Sequence, residues 1–326
     1  MAQAAATFSA PKKKIKVSAG RRVFVIFNYI FCFLVGMICL VPVLHILAVS
    51  FSGIDAVVSN KVTLWPIDFN LENYEIVVGD AQFFRSYLVT FLRAIVGWAV
   101  SMLMTVLASY PMSLRQSAFP KRKYFVWYFM GTMLFNGGMI PTYLVVRYTG
   151  LLNTFWAMIL PCAVGTYYII LMMNFMKGLP EAISESAFID GAGHWTTLTR
   201  IILPLCKPSI ATVSLFIILQ HWNAWFDGML YIKDMSLKPL QTYLRSIVIV
   251  DSAVGETGMT LEDAVANATA DGANGAKIFL AIFPIMCVYP FLQKHFAKGV
   301  LIGAVMNIVL DPIFIFAFGM GVKGAA

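Results

Sequence analysis

Glu185-Ser186-Ala187-Phe188-Ile189-Asp190-Gly191, followed after nine residues by Ile201-Ile202-Leu203-Pro204, is the stretch that decides the fold. It is polar, charged and helix-forming, yet it lies between apolar segments long enough to cross a bilayer. Such an island, on the side rich in Lys and Arg, is where a soluble partner can grip a membrane protein. Pro180 precedes Glu181 and Glu185, and Ser184 can cap locally, so a short helix is expected over 181–190. Gly191 and Gly193 permit a sharp turn that a branched residue would resist. A second helix is expected from His194 to Leu203, with Pro204 marking the start of the next span.

Composition agrees with that setting. The 326 residues are 60% hydrophobic and only 12% charged, and the mean hydropathy is +0.78. A soluble fold is thereby excluded. The net charge of +8 does not point to nucleic acid, because the excess sits in short segments flanking apolar runs. Cys32, Cys39, Cys162, Cys206 and Cys287 share no C-x-x-C spacing and read as packing residues. The first apolar run, about 23–51, is far longer than a signal-peptide core and reads as an uncleaved anchor.

Six spans are expected, near 23–50, 87–112, 125–147, 155–176, 208–232 and 277–293, giving an all-α membrane protein. Basic clusters orient them. Lys12 to Arg22, Arg115 to Lys123, Lys177 to Lys207, and Lys294 with Lys298 all fall on one side if the N-terminus is cytoplasmic. The opposite loops are about 52–86 and 233–276, and acidic residues dilute their basic ones. In the second of these, Thr260 through Ala268 reads as a short helix with Thr260 as N-cap and Asp263 at N3, in an otherwise mobile Ala, Gly and Asp-rich segment. Three regions are expected: a basic N-terminus 1–22, a membrane domain 23–298 containing the polar loop 177–207, and an atypical tail 299–326.

Inside the spans, Arg93, Asn136, Gln220, His221, Asn223 and Asp227 need partners or water. Gln220-His221-Trp222-Asn223-Ala224-Trp225-Phe226-Asp227 mixes hydrogen-bonding groups with aromatic faces, as sugars require with their hydroxyl edges and C–H faces. Asn136, Gln220, His221, Asn223 and Trp225 are therefore candidates for a substrate pathway. The same residues also fit interhelical hydrogen bonding with an interfacial aromatic belt. Arg93 is expected to snorkel or pair. No G-x-x-x-x-G-K-[ST] phosphate loop, H-E-x-x-H or Gly-x-Ser-x-Gly occurs in the sequence, so no catalytic site and no cofactor site are expected in this chain.

The Glu185–Gly191 pattern with Leu203-Pro204 resembles the EAA loop of ABC-importer permeases, departing from it at Ser186, where the family has Ala. Lys61-Val62-Thr63-Leu64-Trp65-Pro66 with Leu71-Glu72-Asn73-Tyr74 is similar to the loop after the first helix of sugar-importer permeases. The likeness covers about 20–305 and lies with the maltose-permease-like and lipo-oligosaccharide-permease-like group. It implies an importer of carbohydrate, an oligosaccharide above all, in the bacterial plasma membrane. The implied partners are a second permease forming a heterodimer, ATP-binding subunits that hold ATP-Mg, and an external sugar-binding protein. Glu185, Ser186, Ala187, Asp190, Gly191, Leu203 and Pro204 are then the residues that couple to the ATPase, Glu185 pairing with a basic group there. For Asp190 a solvated carboxylate and a partner contact both fit. Met306-Asn307-Ile308-Val309-Leu310-Asp311-Pro312-Ile313-Phe314-Ile315-Phe316 resembles instead a helix of the multidrug-and-toxin-extrusion family, so a secondary exporter is the alternative.

Overall fold

The computed structural model describes residues 19–135, 137–254 and 261–296, which form helices and turns with no strand among them. The expected Thr260 cap, the residues before Ala19 and the tail from 299 onward lie outside the described residues.

Helix α1 (Ala19–Ser50) is followed by two short helices, α2 (Ile54–Val58) and α3 (Glu72–Gly79), then by α4 (Ala81–Ser113). α1 and α4 are each long and apolar enough to cross a membrane unbroken. The next three spans are not the continuous helices expected from hydropathy. The third divides into α5 (Arg122–Leu134) and α6 (Met139–Tyr148). The fourth begins as two 3-10 turns, Phe155–Met158 and Leu160–Cys162, before α7 (Thr166–Lys177), with a 49° bend. The polar loop then supplies α8 (Glu181–Ile189), α9 (His194–Thr196), a π-helical turn (Thr197–Ile202) and α10 (Leu203–Leu205). After an 83° bend comes α11 (Lys207–Asn223), which stops short, and the chain resumes as α12 (Phe226–Tyr231). Helices α13 (Leu240–Val254) and α14 (Leu261–Phe296) complete the described fold. The segment expected to be a mobile outer loop is thus largely helical, and residues 261–268 open one long helix rather than forming a short one.

α4 is the mast on which the rest is hung. It contributes Met102, Val106 and Tyr110 to a core with Met172, Met176, Leu198, Ile202 and Val213. It gives Phe83 to a second core with Val77, Leu240, Tyr243 and Ala276, and Val89 to a third with Met158 and Tyr231. Lipid tails are as apolar as leucine, so helices in a bilayer gain little from hiding apolar surface and depend on close contact and internal polar bonds. α4 supplies both along one ridge at four-residue spacing: Arg93, Gly97, Ser101, Thr105 and Ser109, all buried. By contrast, none of the most apolar α1 window is buried, and α5 has no buried residue. Of the cysteines, Cys206 packs in the core as expected, whereas Cys32, Cys39 and Cys287 lie exposed.

At the end opposite the polar loop, a polar lock joins three helices. Asp80 caps α4 by accepting from the Gln82 and Phe83 N–H groups. Its other oxygen accepts from Tyr243 of α13 at 2.6 Å and pairs with Lys277 of α14 at 2.7 Å. Burial pushes the Asp80 carboxyl upward, but the bonds from Lys277, Tyr243 and Phe83 outweigh it and hold the group below its ordinary 3.8. Its contribution is therefore complete at neutral pH and fades only as pH falls through that depressed value. In detergent, the unfolding midpoint is expected to stay insensitive to this group from pH 7 to about 4 and to drop below that. Asp80→Ala should abolish the acid-side drop, at a cost of roughly 1 kcal/mol of capping and about 1.5–3 kcal/mol of charged hydrogen bonding. An unchanged pH profile in the variant would refute the lock.

Candidate functional site

The polar loop folds as expected in outline, and its turn has a definite form. α8 starts after Pro180 without a side-chain cap, so Ser184 does not serve there. At its far end the Gly191 N–H donates to Phe188 O and the Ala192 N–H to Ala187 O, while Gly191 takes φ +82°. That pairing is a Schellman motif with its left-handed residue at Gly191. Gly193, by contrast, is extended at φ −74° and needs no glycine. Pro204 has no N–H to return to the preceding turn, and the ladder widens into the π-helical segment just before it.

Two contacts anchor this helix pair to the membrane core. His194 Nδ1 lies 3.2 Å from the Tyr110 hydroxyl of α4, and its ring stands edge-on to Phe188 at 5.0 Å. Arg115, in the turn after α4, is ion-paired to both Glu181 and Glu185. Glu185 therefore has a basic partner within its own chain, where the sequence reading expected one on another subunit. All three side chains are exposed, which keeps each pair weak, at about 0–1 kcal/mol. Behind the loop lies a cavity of about 590 Å³, lined by Tyr110, Arg115, Arg122, Lys177, Glu181 and Glu185 among others. Of the remaining expected residues, Ala187 is buried, Leu203 half-buried, and Ser186, Asp190, Gly191 and Pro204 exposed. Ile189 at 84% and Trp195 at 66% exposure flank the turn as bare apolar groups.

The second constellation centres on Arg93, which is 1% exposed. Its Nη1 donates to Asp227 Oδ1 at 3.1 Å and to Ala224 O at 3.2 Å; its Nη2 pairs with the other Asp227 oxygen and donates to Met158 O at 3.3 Å. Non-helical backbone is tolerated at membrane depth only when its polar groups find partners. One guanidinium on unbroken α4 thus serves the 3-10 turn at Met158 and the α11–α12 break at Ala224. At that break the Trp225 carbonyl is taken by Thr242 Oγ1 at 2.7 Å.

The pathway candidates separate. Gln220 and Asn223 are exposed, Gln220 accepting from the Tyr168 hydroxyl at 2.7 Å. Trp225 is half-buried at the break. His221 is buried against Gly97, where an added Cβ would sit 2.6 Å from the ring, so it is a packing residue and not a surface one. Asn136 lies outside the described residues. The sequence reading missed Tyr110, and it used Arg115 only to orient the spans and His194 only as the start of the second loop helix.

No protein-family model matches the chain. It is 39% identical over 284 residues to the polygalacturonan/rhamnogalacturonan transport system permease protein YtcP of Bacillus subtilis, covering 87% of this chain and 98% of that one. It is 41% identical over 284 residues to Protein LplC of the same organism, covering 87% and 95%. A diacetylchitobiose uptake system permease, NgcG of Streptomyces coelicolor, is 25% identical over 87% of this chain and 89% of its own. The crystal structure of a bacterial ABC transporter involved in the import of the acidic polysaccharide alginate contains a chain of the same fold, with TM-score 0.77, 30% identity, and coverage of 87% of this chain and 100% of that chain. The exporter alternative finds no support among these relatives. A loop pinned beneath a membrane core, broken spans held together by one buried guanidinium, and relatives matched over nearly their full length lead to one assignment: the chain belongs to the permease subunits of sugar ABC importers.

Proposed function

We propose that this permease forms half of the translocation pathway of an oligosaccharide importer in the bacterial plasma membrane. A separate ATPase drives it through the helix pair at 181–205, and an external binding protein loads it. The observation that carries this reading is the exposed turn around Gly191, where Ile189 and Trp195 stand bare beside Glu185 and Asp190. Exposed apolar groups rimmed by charge mark a docking surface, and His194 and Arg115 tie that surface to α4. Movement of a docked ATPase then tilts α4, and with it the Arg93 clamp and the α11–α12 break. Gln220 and Asn223 are exposed polar groups in a membrane span, where they belong against protein or water rather than lipid. A second permease facing them supplies both. The bare walls of α1 and α5 suit lipid.

The same geometry supports an orientation with the N-terminus inside. The last turn of α1 meets Asn73 and Tyr74 at the end opposite the polar loop, since Asn73 donates to Ser50 O at 3.2 Å and the Ser50 hydroxyl lies 3.0 Å from that of Tyr74. α1 therefore starts on the loop's own side, which supports a cytoplasmic N-terminus for a loop that docks an ATPase. The saccharides named for the relatives, polygalacturonan and rhamnogalacturonan, diacetylchitobiose, and alginate, support the oligosaccharide class.

The test is reconstitution. Purified alone, the chain should show no ATP turnover. Assembled in proteoliposomes with its partner permease, ATPase and binding protein, it should support saccharide uptake and binding-protein-stimulated hydrolysis. Robust turnover by the pure chain, or uptake without the ATPase, would overturn the reading.

A further inference from the structure

Arg245 sits on α13 with its guanidinium carbon 3.6 Å from the centroid of the Trp225 ring. The side chain is exposed, and among the described residues no carboxylate lies within ion-pairing distance of it. The nearest acid along the break, Asp227, is already committed to Arg93. Arg245 is also held in register: Thr242, one turn earlier on α13, donates to the Trp225 carbonyl at 2.7 Å. Tryptophan and arginine are thus clamped together by one backbone contact and one stacking contact. A guanidinium stacked on an aromatic face keeps its N–H edges free, and those edges match a carboxylate in paired hydrogen bonds. Stacking also removes much of the rotamer entropy that a free arginine loses on binding. Two residues before Trp225, exposed Asn223 offers a donor and an acceptor suited to hydroxyl groups.

We propose that Arg245, held on Trp225, is a carboxylate-selecting subsite that favours uronate-containing oligosaccharides over neutral ones. This rests on the reading of the chain as an oligosaccharide importer. Asn223 takes sugar hydroxyls beside it, and Trp225 acts as a positioning residue that fixes the arginine. A lysine cannot replace the arginine fully, because an ammonium lacks the planar fork. The site differs from the Arg93 clamp, whose guanidinium is buried and has both terminal nitrogens bonded to protein acceptors.

The reconstituted complex tests this with a galacturonate trisaccharide and its fully methyl-esterified form, each loaded on the same binding protein at saturation. Because the binding protein is common to all reactions, a change in the acid-to-ester uptake ratio belongs to the permease. Wild type should favour the acid, and Arg245→Gln should lower the ratio about tenfold or more, the scale of losing a charged hydrogen bond. Arg245→Lys should fall between them, and Trp225→Leu should lower the ratio by freeing the arginine. Co-purification with the ATPase reports assembly, and Arg245→Lys decides the matter should Arg245→Gln assemble poorly. A ratio unchanged in either arginine variant overturns the proposal. So does an equal loss for both probes, which is the signature of an arginine bound to a lipid phosphate. Uptake of neutral saccharides only overturns the subsite and leaves the importer reading standing; no saccharide uptake of any kind overturns both.

Discussion

Asp227→Ala is expected to be among the most damaging single substitutions in this chain, costing about 3–5 kcal/mol, the range for breaking a buried ion pair. It strands the Arg93 charge where the side chain is 1% exposed. Arg93→Met should cost less. Asp227 is 22% exposed and keeps a bond from the Gly228 N–H at 2.8 Å, so its charge retains some relief. The methionine variant still loses the donors that serve Ala224 O and Met158 O, so it is not harmless. Arg93→Met combined with Asp227→Leu should recover part of the loss, because no charge is then left unpaired. Thermal unfolding of the detergent-solubilised complex measures all three. An order in which the arginine variant is the worse, or a double variant weaker than both singles, would show that the clamp is misread.

Gly191→Pro should abolish most uptake while leaving the membrane core folded. Gly191 lies at φ +82° and donates its N–H to Phe188 O, and proline can do neither. Gly191→Ala separates conformation from crowding. No atom lies within 4 Å of a Cβ added there, so its penalty is that of the left-handed backbone alone, about 1–2 kcal/mol. The alanine variant should therefore assemble and transport at a reduced rate, and the proline variant should lose roughly tenfold or more. Uptake in proteoliposomes, compared with ATPase co-purification, separates lost coupling from lost docking. If Gly191→Pro transports as wild type, the turn plays no part in coupling.

The helix and turn of the polar loop were legible because their signals are local: a proline before Glu181, a glycine after Asp190, and a helical run between. The span breaks were not. Ile159, Leu160, Ala224 and Trp225 are apolar, so hydropathy reads through them; Pro161 is a local sign of the first break, but the donors that the backbone at Met158 and Ala224 needs come from the distant Arg93. Contacts of that kind join residues far apart in sequence and leave no periodic trace. The first part of α14 misled for a different reason. Its alanines and glycines read as looseness, but small residues are what allow close approach: a Cβ on Gly272 would fall 2.4 Å from Asn73 Oδ1. The same ambiguity affected the pathway candidates. Gln220, His221 and Asn223 are all polar within four positions, and only the helix's rotation decides that His221 turns inward while its neighbours face out.

The Arg93–Asp227 pair also imposes an order on biosynthesis. The two residues are 134 positions apart, so at bacterial translation speeds on the order of ten seconds separate their emergence from the ribosome. Until then α4 must enter the bilayer with an unneutralised arginine, at about 2.5–3.5 kcal/mol on insertion scales. Its long apolar flanks can carry that load at the translocon, but the nascent chain stays unfinished at its centre until α12 arrives. A chain truncated before Asp227 is thus left with a permanent membrane-embedded charge, a mark by which quality-control proteases can tell an incomplete permease from a finished one.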